Sequence, residues 1–212
     1  MAQFFSLHPE QPQPRLIRQA AQLVRAGGVA AMPTDAAYCL GCRLGEADAV
    51  ARIRAIRGLD ERHHFTLMCR DLSEIATYAR VDNAQFRLLK AATPGSYTFI
   101  LEGTKELPRR ILHPKRRTIG LRIPAHPVPL ALLRELNEPM LTSTLLLPGD
   151  EHPLNDPEEI RDRLGKRIDL ILDAGVCGLE MTTVVDLTGP MPELVRAGRG
   201  PLARLGLDAR LW

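Results

Sequence analysis

Short aliphatic runs alternate along this chain with longer segments that carry an apolar stripe at helical spacing. Residues 14–26 open on Pro14, set Leu16, Ile17, Ala20, Leu23 and Val24 on one face, and stop at Gly27-Gly28. That is a helix punctuated at both ends. Residues 29–32 form an apolar run closed by Pro33, and 38–43 a second strand. Helix 46–57, with Val50, Ile53 and Ile56 inward, strand 66–69, and helices 71–78 and 82–92 continue the series, the last two with an aspartate as cap or first-turn residue. A turn at Thr93-Pro94-Gly95 leads into strand 97–101. Strand 118–123, helix 127–136, strand 140–144, helix 156–164 and strands 169–172, 183–187 and 193–196 follow. The last two strands lack a crossover helix, so they are antiparallel or distant in the sheet. The pattern predicts an α/β fold built on a twisted mixed β-sheet covered by helices. One domain is expected over residues 1–207 with 208–212 beyond it, and 200–212 reads as a loosely held tail.

The 212 residues are 45% hydrophobic and 25% charged, a globular balance that excludes disordered and membrane classes. Aromatics supply only 4%, so the core must be aliphatic. No basic stretch followed by an apolar run opens the chain, and no segment nears the roughly 18 apolar residues of a spanning helix. A soluble, cytoplasmic protein without a membrane partner is expected. The net charge of +3 says little, but its distribution says more. Lys105, Arg109, Arg110, Lys115, Arg116, Arg117 and Arg122 face a single acid, Glu106, in that stretch. Such a run is either a solvated loop or a patch for phosphate or RNA backbone, with Arg109, Arg110, Lys115, Arg116 and Arg117 as the RNA-binding candidates.

Several chemistries find no support. There is no P-loop, no G-x-G-x-x-G, no G-x-S-x-G and no H-E-x-x-H. Cys39 and Cys42 form C-x-x-C without a second pair and read as strand, which favours buried free thiols over a metal or redox site. His63-His64 read as loop histidines, and no metal-ligating set is assigned.

Hydroxyls and arginines at strand ends remain. Thr34 follows a buried strand, Thr142-Ser143-Thr144 ends another, and Thr182-Thr183 begins a third; in open α/β sheets ligands gather at such edges. Taken one at a time, each also has a structural use, bonding loop backbone. In residues 118–123 the apolar Ile119, Leu121 and Ile123 share one face, and Thr118, Gly120 and Arg122 the other. Because a buried arginine is costly unless paired, that second face must be wet or anion-binding. Gly120 leaves room for a ligand to approach the backbone, and Arg196 is a similar candidate.

Those segments resemble the YrdC/YciO family, its YciO branch most closely. The run from Gly28 to Asp35 followed by Tyr38-Cys39-Leu40-Gly41 is similar to its PT[ED]-x-x-Y-x-L-G signature, and Pro94-Gly95-Ser96-Tyr97-Thr98 to its P-G-x-x-T strand. Thr118 to Pro124 resembles T-x-x-x-R-x-P, and Thr183-Val184-Val185-Asp186 with Val195-Arg196 its closing strands. The resemblance implies a YrdC/RibB-like sheet with a concave basic groove. It implies formation of threonylcarbamoyl-AMP from threonine, bicarbonate and ATP with Mg²⁺, the first step of a tRNA modification, and also double-stranded RNA binding. On that basis Thr34, Thr142, Thr183 and Arg122 hold a threonine-like part, while Thr118, Thr144 and Arg196 lie by the nucleotide, ATP or AMP. Tyr38, Thr98 and Ser143 join the binding set, and Arg57 and Thr144 are the catalytic candidates. The chain departs from the synthase pattern in two places. Arg57-Gly58-Leu59 stands where synthases carry K-x-R, and Thr144-Leu145-Leu146 where they carry S-x-N. Three readings therefore stand together: an enzyme acting on threonylcarbamoyl-AMP or a similar acyl-adenylate, a non-enzymatic RNA- or tRNA-binding module, and a relative that has lost its ligand.

Overall fold

The computed structural model describes residues 1–60, 65–113 and 115–206. Its strands are β1 (Gln3–Ser6), β2 (Ala30–Met32), β3 (Cys39–Arg43), β4 (Thr66–Met68), β5 (Tyr97–Glu102), β6 (Thr118–Arg122), β7 (Met140–Thr144), β8 (Leu170–Asp173), β9 (Thr183–Asp186) and β10 (Glu193–Arg196). The helices are α1 (Pro14–Arg25), α2 (Ala47–Arg57), α3 (Leu72–Tyr78), α4 (Asn83–Ala92), α5 (Pro127–Leu136) and α6 (Pro157–Leu164). The boundaries follow local chemistry. Asp71, Asp82 and Asp156 each accept a backbone N–H from the first turn of α3, α4 and α6. Proline starts α1, α5 and α6. Gly58 closes α2 in the left-handed region, and a Cβ there would meet Pro148 at 2.8 Å.

All ten strands join one mixed sheet in the order β1-β8-β2-β3-β7-β4-β6-β5-β9-β10. The β9–β10 pair is antiparallel. The β1–β8, β8–β2, β4–β6 and β5–β9 pairs are parallel. Neighbouring residues along a strand divide between two apolar cores: Ala31, Leu67, Leu141 and Ile171 belong to one, and Ala30, Met68, Met140 and Leu170 to the other. The two cores therefore occupy opposite faces of the sheet. The first receives Ile53, Ile56, Ile75, Leu89, Ile160 and Leu164 from α2, α3, α4 and α6. The second receives Ile17, Val24, Val128, Leu132 and Leu136 from α1 and α5. Full burial of each such aliphatic side chain contributes about 1.5–3 kcal/mol.

The second core contains no residue of β5, β6, β9 or β10. On that face, among the described residues, α1 and α5 shield one half of the sheet and no helix packs an apolar core on the other, bare half. The bare half is where the candidate site lies.

One element was not foreseen, and one expectation is corrected. The opening residues contain a strand, β1, paired in parallel with β8. Residues 200–206 are not loosely held. Leu202–Leu205 forms a 3-10 turn with Leu205 buried, the Tyr97 hydroxyl donates to the Pro201 carbonyl at 2.9 Å, and the Thr183 hydroxyl donates to the Gly200 carbonyl at 2.7 Å. Residues 208–212 and His63-His64 lie outside the described residues. No described helix is long and apolar enough to cross a membrane.

Candidate functional site

A row of facing positions crosses the bare half of the sheet: Gly41 opposite Thr142, Thr142 opposite Thr66, Thr66 opposite Gly120, Gly120 opposite Ile100. Glycines and threonines in one transverse row make the surface dip. A Cβ at Gly120 would stand 3.0 Å from Thr98 Cγ2 and 3.4 Å from Thr66 Oγ1, so this glycine keeps the floor low. The resulting hollow holds about 220 Å³ and is lined by Ala36, Ala37, Cys39, Phe65, Met181, Thr182 and Val184 besides the floor. Arg57, Thr98, Arg122, Thr142, Ser143, Thr144 and Arg196 complete the lining. Seven of the sequence-derived candidates are thus brought together.

The three arginines differ in their company. Arg122, at the end of β6, donates from Nη2 to Asp35 Oδ1 at 2.8 Å, with the two side chains 8% and 13% exposed. Asp35 is fully engaged. Oδ1 also accepts the Ala125 N–H at 3.2 Å, and Oδ2 accepts the Ser96 hydroxyl at 2.7 Å. Among the described residues the buried Arg122 Nε has no partner. Arg57, in the last turn of α2, donates from Nε to Ser143 Oγ at 3.2 Å. Arg196 donates from Nε and Nη2 to the Thr182 carbonyl at 3.2 and 3.0 Å. Among the described residues neither Arg57 nor Arg196 has a carboxylate partner, and burial alone pulls both guanidinium pKa values down. Two half-buried cations thus line the hollow without a carboxylate partner among the described residues, one beside β7 and one beside β9.

Arg196 reaches its place through a bulge. Glu193 faces Asp186 and Leu194 faces Val185, but Arg196 rather than Val195 faces Val184. Val184 lines the hollow, so the extra residue turns the arginine inward and leaves Val195 55% exposed. Hydroxyl groups supply the rest of the polarity. Thr98 and Thr182 share a 2.9 Å hydrogen bond, and the Thr142 hydroxyl donates to the Thr66 carbonyl at 3.0 Å. Cys39 contributes a neutral thiol, pushed up to about 12 by burial. Cys42, also pushed up to about 12, belongs to the core on the opposite face, so the two cysteines cannot meet.

The other candidates stand elsewhere. Thr34 donates to the Ala37 carbonyl at 2.7 Å and accepts the Ala36 N–H at 3.1 Å, shaping the loop that presents Ala36 and Ala37. The buried Tyr38 donates to the Gly175 carbonyl at 2.9 Å, and burial raises its pKa. Thr183 is held by Gly200, as above, and by the Gly198 N–H at 3.0 Å. Thr118 lines a separate depression of about 590 Å³ with Arg80, Glu102 and Arg116. Arg109, Lys115, Arg116 and Arg117 are exposed, with Arg116 3.9 Å from Asp186. The Arg110 side chain lies outside what is described. Sequence reasoning missed Asp35, Ser96 and Met181, while Thr182, noted as a strand-edge hydroxyl, does line the hollow. A buried arginine called for an acid, yet nothing in the order of residues says which one.

A protein-family model named Sua5_yciO_yrdC, described as "Telomere recombination", matches residues 22–198. The YciO protein of Escherichia coli (strain K12) is 56% identical over 200 residues, covering 94% of this chain and 97% of its own. The E. coli YciO crystal structure superposes with a TM-score of 0.93 at 55% identity, over 97% of this chain and 100% of that one. A threonylcarbamoyl-AMP synthase of Halorhodospira halophila is 34% identical over 178 residues, 84% of this chain and 92% of its own. A P. abyssi Sua5 crystal structure complexed with L-threonine has a TM-score of 0.85 at 26% identity, covering 93% of this chain and 58% of that one.

Proposed function

Since the chain belongs to the Sua5_yciO_yrdC family, we propose that its hollow binds an acyl-adenylate of the threonylcarbamoyl-AMP kind and acts on it. One observation carries this reading: Arg57 and Arg196, without a carboxylate partner among the described residues, line a threonine-rich floor beside a fixed Arg122. The synthase relative supplies the adenylate chemistry, and the threonine bound in Sua5 supplies the amino-acid part.

Making such an anhydride joins a carbamate oxygen to the α-phosphorus of ATP and expels pyrophosphate. Cleaving it with water returns AMP and the carbamate. Neither direction needs a covalent protein nucleophile. It needs reacting groups held in line and charge neutralised at the phosphoryl oxygens. In this reading Arg57 and Arg196, which line the hollow, do the neutralising, the Arg122 Nε–H is a spare donor, and the Thr144 hydroxyl donates at the strand end. The described residues do not fit a resident magnesium ion. No group of three His, Cys, Asp or Glu among them is gathered to hold one, and Asp35 is engaged on both oxygens. Mg²⁺ is therefore assigned to the nucleotide phosphates, as part of the substrate.

The purified protein is incubated with threonine, bicarbonate, ATP and Mg²⁺, and separately with threonylcarbamoyl-AMP, and the nucleotides are followed by chromatography. Turnover in at least one direction is expected. Absence of turnover in both would remove the reading.

A second reading is favoured by Lys115, Arg116 and Arg117, adjacent and exposed ahead of β6. They would hold RNA backbone, alone or together with the hollow. Charge removal at Arg116 and Arg117 should then weaken double-stranded RNA binding and flatten its salt dependence; salt-insensitive binding would exclude this role.

A further inference from the structure

We infer that β10 is a docking edge for a second copy of this chain, the two strands pairing antiparallel about a two-fold axis. Among the described residues β10 ends the sheet beyond β9 and meets no further strand. The outward N–H and C=O groups of such an edge are a template for another strand. Two large apolar side chains stand in the open beside it: Met191 is 74% exposed and Val195 55%.

The charges on β10 select the occupant. Glu193 faces Asp186 across the β9–β10 pair, and Arg196 faces Val184. Asp186 and Val184 are two apart on β9, so Glu193 and Arg196 look out on the same side of the sheet. Without the bulge at Val195, residues three apart would point to opposite sides. Glu193 thus stands opposite another acid, an unfavourable cross-strand pair. Arg116 lies 3.9 Å from Asp186, and among the described residues no cation pairs with Glu193. Arg196 in turn has no carboxylate partner among them. It gives Nε and Nη2 to the Thr182 carbonyl, while its Nη1 has only the Met181 thioether at 3.5 Å, a weak acceptor. An antiparallel copy of the same four residues answers both needs. Glu193 then falls opposite Arg196 of the partner subunit, Arg196 opposite the partner's Glu193, and Leu194 opposite the partner's Val195. An edge complementary to itself in charge and in apolar character makes an isologous contact, which closes at two copies. Four residues of edge make a small interface, so the association is weak, with half-dimerisation expected at about 10–100 µM.

The test is sedimentation velocity on the full chain, over a dilution series from about 500 µM to about 1 µM that brackets a weak interface. The sedimentation coefficient should rise with concentration, and amide hydrogen exchange in residues 193–196 should slow in step. Glu193→Arg and Arg196→Glu each set like charges opposite one another twice, by symmetry. Each should weaken association about tenfold or more. The double variant Glu193→Arg/Arg196→Glu restores both pairs and should recover dimerisation. Val195→Lys, at a side chain exposed in the single copy, should abolish it without unfolding the chain. A chain that stays monomeric throughout overturns the inference, whether the edge is vacant or serves a strand of another protein. So does a dimer that neither charge reversal nor Val195→Lys weakens, because it then uses another face. Should a charge variant not fold, Val195→Lys and the exchange of residues 193–196 decide.

Discussion

Replacing Asp35 with alanine tests how the hollow is held open. Asp35 ties together three pieces of chain that meet at the rim: the loop after β2, Ser96 before β5, and Arg122 with Ala125 after β6. Its removal leaves the Arg122 guanidinium, 8% exposed, as an unpaired buried charge. Breaking a buried pair from one side costs about 3–5 kcal/mol. The hollow admits water to one side of the guanidinium, so the lower end applies, about 3 kcal/mol. At about 2–4 °C per kcal/mol for a chain of this size, the melting midpoint should fall by roughly 6–12 °C. Urea unfolding of Asp35→Ala, Arg122→Met and the double variant gives the values, and an unchanged m-value licenses the comparison. The double variant should recover at least half of the single-variant loss, because an apolar replacement of both partners removes the stranded charge. A loss under about 1 kcal/mol for Asp35→Ala, or a double variant no better than the single, would refute the reasoning.

Three further outcomes are expected. Gly120→Val should fill the floor between Thr98 and Thr66, lowering nucleotide affinity at least tenfold with a melting shift of only a few degrees; unchanged affinity would place the ligand elsewhere. Burial raises all four thiol pKa values, Cys39 and Cys42 to about 12 and Cys177 to about 11. At pH 8 the folded protein should therefore label slowly with a thiolate-directed reagent, first at the half-buried Cys177. His126 accepts the Val128 N–H on Nδ1 at the start of α5, and burial lowers its pKa below the ordinary 6.5. The unfolded chain then binds the proton more readily, so stability should fall as pH drops from about 6.5 toward the depressed folded value. His126→Asn, which keeps a cap, should flatten that slope in pH-dependent unfolding.

The fold was largely legible because its signals are local. Pro14, Pro127 and Pro157 start helices, Asp71, Asp82 and Asp156 cap them, and the alternation through 118–122 fixed which side of β6 carries Thr118, Gly120 and Arg122. β1 was missed because its four residues find their partner far along the chain, Ser6 meeting Asp173 across 167 positions. The candidate site was legible only in part. Thr183 and Thr142 look alike at a strand edge, but Thr183 faces the helix-covered core while Thr142 faces the hollow. Strict alternation would put Arg196 on the Leu194 side, facing the core; the bulge at Val195 reverses it, and no residue type announces such a bulge. The Asp35–Arg122 pair is a contact between distant segments, which a single sequence does not encode in any readable periodicity.

The hollow is floored by β7, β4, β6, β5 and β9, every one of which has a strand on both sides. A surface of that kind holds its shape before any visitor arrives, so capture needs no hinge beneath the ligand. It also separates two jobs that most clefts mix. The backbone ladder secures the framework, while the side chains that look upward, such as Thr98, Ile100 and Val184, are free to vary in size and polarity. One scaffold can in this way be refitted for a different acid, tile by tile, without rebuilding the house.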